Sequence, residues 1–113
     1  MMMEIPRGDS LEKGFVLKDK QSGEPITDVY DEIYFTVKSD AKERDYLFQK
    51  TMTAGGITDD GNGHYTLIIM PDDTNDLEFD TYDCDFEFVK DDHKRTFYGK
   101  LKLTKEVTHY YNE

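Results

Sequence analysis

The sequence predicts an antiparallel β-sandwich that forms a single domain over residues 1–113. Three observations lead to this fold class. Apolar and polar residues alternate along several segments, turn-forming residues recur about every ten to fifteen positions, and no long segment carries apolar residues at helical spacing. Alternation gives each sheet one buried and one solvated face, which is typical of two packed antiparallel sheets. We expect about seven strands and at most one short helical turn.

The strongest alternation lies in residues 82–88, where apolar side chains at even positions alternate with acidic ones. A period of two places one set in the core and the other in solvent. The same pattern predicts five more strands, in residues 15–17, 33–38, 47–52, 65–69 and 97–103. Their inward-facing side chains are expected to be Phe15, Leu17, Ile33, Phe35, Val37, Tyr65, Leu67, Ile69, Phe97, Leu101 and Leu103.

Turn-forming residues separate these strands. The strongest breakers are Ser22–Pro25, Gly55–Gly56 and Asp60–Gly63. Asp91–Lys94 is expected to close a hairpin between two alternating strands. Pro71–Leu77 begins with proline and carries early carboxylates, which suit the first turn of a helix. The charged residues 40–45 predict a loop tip or one turn, and residues 109–113 are interpreted as either a frayed tail or a contact arm.

The composition is that of an acidic, aromatic-rich domain. Acidic side chains number 25 against 14 basic ones, and the formal net charge is −11. This charge repels phosphates, so we expect neither nucleic acid nor a membrane as a partner. Seven Phe and eight Tyr argue against disorder. The N-terminal residues lack the apolar run of a signal peptide, and synthesis in the cytoplasm is expected.

The residue types that carry enzyme chemistry are poorly placed. Cys84 is the single cysteine, and the acidic neighbours Asp83 and Asp85 favour a buried, protonated thiol over a nucleophile. The three histidines, His64, His93 and His109, are far apart and lack zinc-ligand spacing. We therefore predict no enzyme activity, no catalytic residues, no metal and no cofactor.

Two short motifs suggest a function but have simpler interpretations. Arg7-Gly8-Asp9 matches an adhesive tripeptide, yet a glycine-centred turn explains it equally well. Asp59–Gly63 looks like part of a calcium loop. When Gly63 is aligned with the invariant loop glycine, Ile69 occupies the closing position, and its side chain cannot supply the required carboxylate. A tight β-turn is the prediction there.

Five outward-facing residues are the candidates for an interaction site: Tyr34, Tyr98, Asp83, Asp85 and Glu87. Exposed tyrosine is enriched at protein interfaces, although cross-strand packing is the alternative for both tyrosines. The acidic row is expected to be a solvated face or a surface that prefers a basic partner. A weak cation site and a catalytic carboxylate pair are the other interpretations.

The order of motifs along the chain carries a resemblance to a known family. The matching segments are RGDS at 7–10, FVLKD at 15–19, GEPI at 23–26, IYFTVK at 33–38, QK at 49–50, GIT at 56–58, GHYTL at 63–67, PDDT at 71–74, YDCDFEF at 82–88 and GKLKLT at 99–104. This order resembles the small immunoglobulin-like β-sandwich domains of tailed bacteriophages and prophages, and is similar to the N-terminal domain of baseplate upper proteins. The family usually has glycine before the residue equivalent to Tyr82, where this chain has Asp80-Thr81.

The resemblance implies a non-enzymatic virion structural module in a tail or baseplate. Its partners would be other virion or tail proteins, including a receptor-binding protein, and a homo-oligomer is compatible with that role. Its location would be the tail or baseplate of the virion, after synthesis in the bacterial cytoplasm. The alternative is a carbohydrate- or cell-surface-binding β-sandwich module that uses Tyr34, Tyr98 and the loop tips.

Overall fold

The computed structural model describes residues 2–40 and 42–105. Within these residues the chain forms eight strands and one short helix, which confirms the all-β class. The elements are β1 (Met2–Pro6), β2 (Leu11–Val16), β3 (Glu32–Lys38), β4 (Phe48–Thr51), β5 (Ile57–Gly61), β6 (His64–Ile69), α1 (Pro71–Thr74), β7 (Thr81–Lys90) and β8 (His93–Thr104). No helix in this part of the chain has the length and apolar character needed to cross a membrane.

The strands form two sheets. One has five strands in the order β1-β8-β7-β3-β4, and the other has three in the order β2-β6-β5. Neighbouring strands are antiparallel except β1, which lies parallel to β8 with Met2 opposite Lys100. This pair corrects the expectation of a wholly antiparallel arrangement. The two strands come from opposite ends of the chain, so no hairpin dictates their relative direction.

Strands β1 and β5 are additions to the strands expected from alternation. In β1, Met3 and Ile5 alternate with exposed residues and are buried against the five-stranded sheet. In β5, Ile57 is buried and the residues after it are exposed. Each strand is too short to show a clear period of two. Two inward-facing residues in β1 and one in β5 do not define a pattern.

The inner faces of the two sheets share one apolar core. Phe15 of the three-stranded sheet packs against Phe86 of the five-stranded sheet, with 4.7 Å between ring centroids. All the residues expected to face inward on β3, β6 and β7 are buried. Phe97 on β8 was expected to be buried as well, but it is 39% exposed. It lies beyond the part of β8 that β1 covers, in an open cleft beside Lys18–Gln21.

The expected turns are present in the described residues. Asp91, with φ of 52°, and Asp92 connect β7 to β8, and α1 starts at Pro71 as the proline predicts. Asp60–Gly63 forms the turn between β5 and β6, where Gly61, Asn62 and Gly63 have positive φ. Residues 40 and 42–45 form an irregular loop, while Ala41 and residues 106–113, including His109 and the C-terminal segment, lie outside the described residues.

A hydrogen bond fixes the start of β7. The Tyr82 hydroxyl donates to the carbonyl of Glu78 at 2.7 Å, while the Tyr82 ring is buried. The bond ties the strand to the segment that precedes it. It satisfies the polar end of a side chain whose ring contributes to the core.

Candidate functional site

The five predicted contact residues lie together on the outer face of the five-stranded sheet. We use "outer face" for the solvent-facing side of β3, β7 and β8, which carries Tyr34, Thr36, Lys38, Asp83, Asp85, Glu87, Lys94, Thr96, Tyr98 and Lys100. In the strand register, Asp85 is opposite Tyr98 on one side and Thr36 on the other. Tyr34 is opposite Glu87. The adjacency of three strands converts separate outward positions into one surface.

The two tyrosines differ in accessibility. Tyr98 is 74% exposed and borders a hollow in the outer face. Tyr34 is half-buried and lies between Glu87 and Thr51 of the adjacent strands, as cross-strand packing predicts. Tyr98 therefore presents an exposed aromatic surface, whereas Tyr34 belongs mainly to the packing of the sheet.

Lysines of the adjacent strand flank the acidic row. Lys100 forms an ion pair with Asp83, and the Lys94 ammonium lies 2.9 Å from the Glu87 carboxylate. In each pair the hydrogen bond to the carboxylate raises the pKa of the lysine. The outer face thus carries mixed charge, which weakens the expectation that it prefers a basic surface.

Asp85 differs from the other two carboxylates of the row. Within the described part of the chain, no lysine or arginine nitrogen lies within ion-pair distance of it. Partial burial raises its pKa, and the neighbouring Glu87 raises it further, while Lys38 acts in the opposite direction. Asp85 is therefore a carboxylate whose ionised form is disfavoured at the centre of the outer face.

Replacing Asp85 by asparagine is expected to stabilise the fold at neutral pH. Because the folded-state pKa of Asp85 is raised, its ionisation costs stability as pH rises through that pKa, and the cost is absent below the unfolded pKa. D85N should gain about 0.5 kcal/mol at pH 7, a figure reduced for solvent screening, and nothing below about pH 3. Urea melts across this pH range measure the difference. The control E12Q, on the exposed side of β2, should show no such gain, and a D85N gain that persists at low pH would contradict the assignment.

A hollow of about 480 Å³ lies beside Asp85. Tyr98 and Tyr46 border it, and Arg44 and Gln49 add polar groups. The Gln49 side-chain amide donates to the Thr36 hydroxyl at 3.0 Å, which orients it within the outer face. Aromatic rings beside hydrogen-bonding groups provide both a stacking surface and a means to orient a polar ligand.

Several residues of the hollow were not among the predicted candidates. Thr36 and Lys38 have the outward phase of Tyr34 on the same strand, so alternation contained the signal for them. Arg44 and Tyr46 come from the loop before β4, where no periodicity exists to orient a side chain. Their position depends on the path of that loop, which only the folded structure supplies.

The remaining motifs have structural roles in the described residues. Cys84 is buried, and burial followed by the charges of Asp85 and Asp83 raises its pKa to about 11. Gly8, at φ of 82°, makes the expected turn, while the Arg7 guanidinium lies 4.2 Å from the centre of the Phe79 ring. Within residues 2–40 and 42–105, no cluster of three or more His, Cys, Asp or Glu side chains is arranged to hold a metal.

Comparisons with known proteins give a likeness to a solved structure. No protein-family model matches the sequence, and a comparison with curated proteins finds no match. Among solved structures, the chain is similar to part of the endo-beta-1,4-mannanase from Thermotoga petrophila, with a TM-score of 0.55 and 15% identity. The likeness covers 92% of this chain and 18% of the mannanase chain, so this chain spans less than a fifth of that protein. At this identity the likeness concerns the fold alone.

Proposed function

We propose that this chain is an immunoglobulin-like β-sandwich that serves as a non-enzymatic structural module of a tailed phage or prophage. Its outer face docks a neighbouring tail or baseplate subunit or a receptor-binding protein. The motif order described above provides the link to phage domains. The observation that carries the docking role is the convergence of Tyr98, Asp85 and the flanking charged pairs on one sheet face.

Two features support the immunoglobulin-like assignment. The order β2-β6-β5 in one sheet and β8-β7-β3-β4 in the other corresponds to strands B-E-D and G-F-C-C′ of such sandwiches. The Tyr82 hydroxyl bond to the Glu78 carbonyl matches the tyrosine corner found at the start of strand F. Cys84 follows two residues later, as the second cysteine of that motif does.

The docking role follows from the chemistry of the outer face. An exposed tyrosine supplies a large contact area with few rotatable bonds, and interfaces are enriched in this residue. The lysines of the flanking pairs are exposed and their carboxylates are half-buried, and surface pairs of this kind contribute little to folding, so they can set the orientation of a partner. An unpaired carboxylate at the centre, Asp85, gains most from a hydrogen-bond donor on that partner.

The test combines genome neighbourhood with binding. The gene is expected to lie among genes for tail, baseplate or receptor-binding proteins, and the purified full chain should bind the product of at least one of them in calorimetry. Y98A and D85K should each weaken that binding by about tenfold or more, because both change the centre of the face. E12K makes the same kind of charge reversal on the exposed side of β2 and should leave affinity unchanged. A gene neighbourhood without tail genes, or equal binding affinities for all variants, would contradict the proposal.

Carbohydrate recognition is a second candidate because of the hollow beside Asp85. Tyr98 and Tyr46 are 74% and 54% exposed at its border, and sugars commonly stack on such rings beside polar groups. A glycan array separates the two candidates. Saturable binding that Y98A and Tyr46→Ala both abolish would favour a carbohydrate-binding module over a docking module.

A further inference from the structure

We propose that the open edge of β8, residues 93–99, accepts an acidic extended strand from a partner protein, which pairs with it as an additional strand of the five-stranded sheet. This site is a strand edge rather than the outer face. The inference does not depend on the phage role proposed above.

The first observation is that β1 covers only part of β8. Met2–Pro6 pairs with residues 100–104, while residues 93–99 pair with β7 on one side alone. Within residues 2–40 and 42–105, no strand lies on their other side. A free edge of this kind is where an extended peptide adds to a sheet.

The second observation identifies the backbone groups that would bind the strand. The Leu103 amide donates to the Asp80 carbonyl on the β7 side, whereas the Thr104 carbonyl accepts from the Arg7 amide on the β1 side. Backbone groups of successive residues in a strand point to opposite sides, and the β7–β8 register runs without a shift. The amides and carbonyls of Lys94, Thr96 and Tyr98 therefore point to the free edge.

The third observation is an apolar contact point on the inner side of the same edge. Phe97 is 39% exposed, and its ring packs edge-to-face on Phe88 with 5.8 Å between centroids. It lies in an open cleft of about 560 Å³ between β8 and Lys18–Gln21. A strand paired with this edge would place alternate side chains over Phe97, which favours an apolar residue there.

The charge of the cleft identifies the chemistry of the partner. Lys18, Lys20 and Arg95 line it, in a chain whose net charge is −11. The acidic residue among them, Asp19, accepts the amides of Gln21 and Ser22 at 2.8 and 3.1 Å and also interacts with Arg95, so the cleft has three cations against one carboxylate. This local excess of positive charge attracts an acidic segment, whereas a second copy of the whole chain would be repelled by its net charge.

The experiment titrates the isotope-labelled full chain with a capped heptapeptide in which Glu and Val alternate, long enough to span residues 93–99. We expect amide signals of residues 93–99 to shift, and amides 94, 96 and 98 to exchange more slowly with solvent, because they gain hydrogen-bond acceptors. The same peptide with Lys in place of Glu should give no shift. Shifts confined to β3 and β7, or unchanged exchange at these three amides, would overturn the proposal.

Two variants test the geometry independently. Thr96→Pro removes an amide that points to the free edge of β8, where no strand in the described part of the chain pairs with it. The substitution should therefore abolish peptide binding while the spectrum of the folded chain is preserved. The double variant K20E/R95E should weaken binding by about tenfold or more through charge alone, and it decides the question if Thr96→Pro does not fold. Unchanged affinity in the charge variant would refute the acidic partner. A dimer in sedimentation that Thr96→Pro abolishes would instead assign the edge to a second copy of the chain.

Discussion

Replacing Phe88 by alanine is expected to lower the free energy of unfolding by about 3–5 kcal/mol, the range for large aromatic residues removed from cores. Phe88 is 2% exposed, and its ring packs against Phe15 and Tyr65 of the three-stranded sheet. It also packs edge-to-face with Tyr30, at 5.2 Å between ring centroids. The substitution would therefore open a cavity where the two sheets and the segment before β3 meet.

Chemical denaturation followed by fluorescence or circular dichroism measures this loss. The matched control is Phe97→Ala, which removes the same side chain from the adjacent strand at a position that is 39% exposed. We expect a loss of about 1 kcal/mol there, because part of the ring is already in contact with water. Equal losses for the two variants would show that Phe88 does not occupy the centre of the core.

Alternation predicted β3 and β7 because both strands have one face in the core and one in solvent. Every second residue of Ile33–Val37 is buried, and the same holds for Tyr82–Phe88. For the same reason, the five predicted contact residues lie on the outward-facing side of their strands, as alternation indicates. Alternation does not predict β1 or β5, because both strands are short. In β1 the strand partner, β8, is distant in sequence, and in β5 only Ile57 faces inward.

The pairing of charges on the outer face shows how far local information extends. Asp91 adopts a φ of 52°, which allows a two-residue connection and sets Asp83 opposite Lys100. The hairpin segment was predicted as Asp91–Lys94, and a connection of that length does not specify the same register. The register between β3 and β7 has no such local origin, because no short turn connects the two strands.

The open edge of β8 could not be predicted from the sequence. Residues 93–99 alternate as any half-buried strand does, and their edge is open because β1 begins opposite Lys100 and runs toward Thr104. The cleft beside them also depends on the segment that follows β2, which an isolated bridge between Lys18 and Pro25 helps to position. Both the open edge and the cleft depend on where strands distant in sequence begin and end relative to one another, and only the tertiary structure shows this.

Replacing Gly63 by alanine is expected to lower the free energy of unfolding by about 3 kcal/mol, since a strained backbone and a steric clash combine. Gly63 has a φ of 81°, and an added Cβ would lie 2.7 Å from the Ile26 carbonyl oxygen and 3.0 Å from the Pro25 Cβ. Its own carbonyl accepts the Leu17 amide at 3.0 Å, so the turn cannot move away without breaking this bond.

Gly61→Ala is the matched control, because Gly61 has a φ of 90° but an added Cβ would meet no atom within 4 Å. Backbone strain alone should cost about 1–2 kcal/mol there. Thermal denaturation of both variants measures the difference, and equal losses would exclude the clash with Ile26. Because Pro25 pairs with Lys18, the displaced segment also carries cations of the β8 cleft. The Gly63 variant should therefore weaken binding of the acidic peptide to the β8 edge more than it weakens binding of a partner to the outer face.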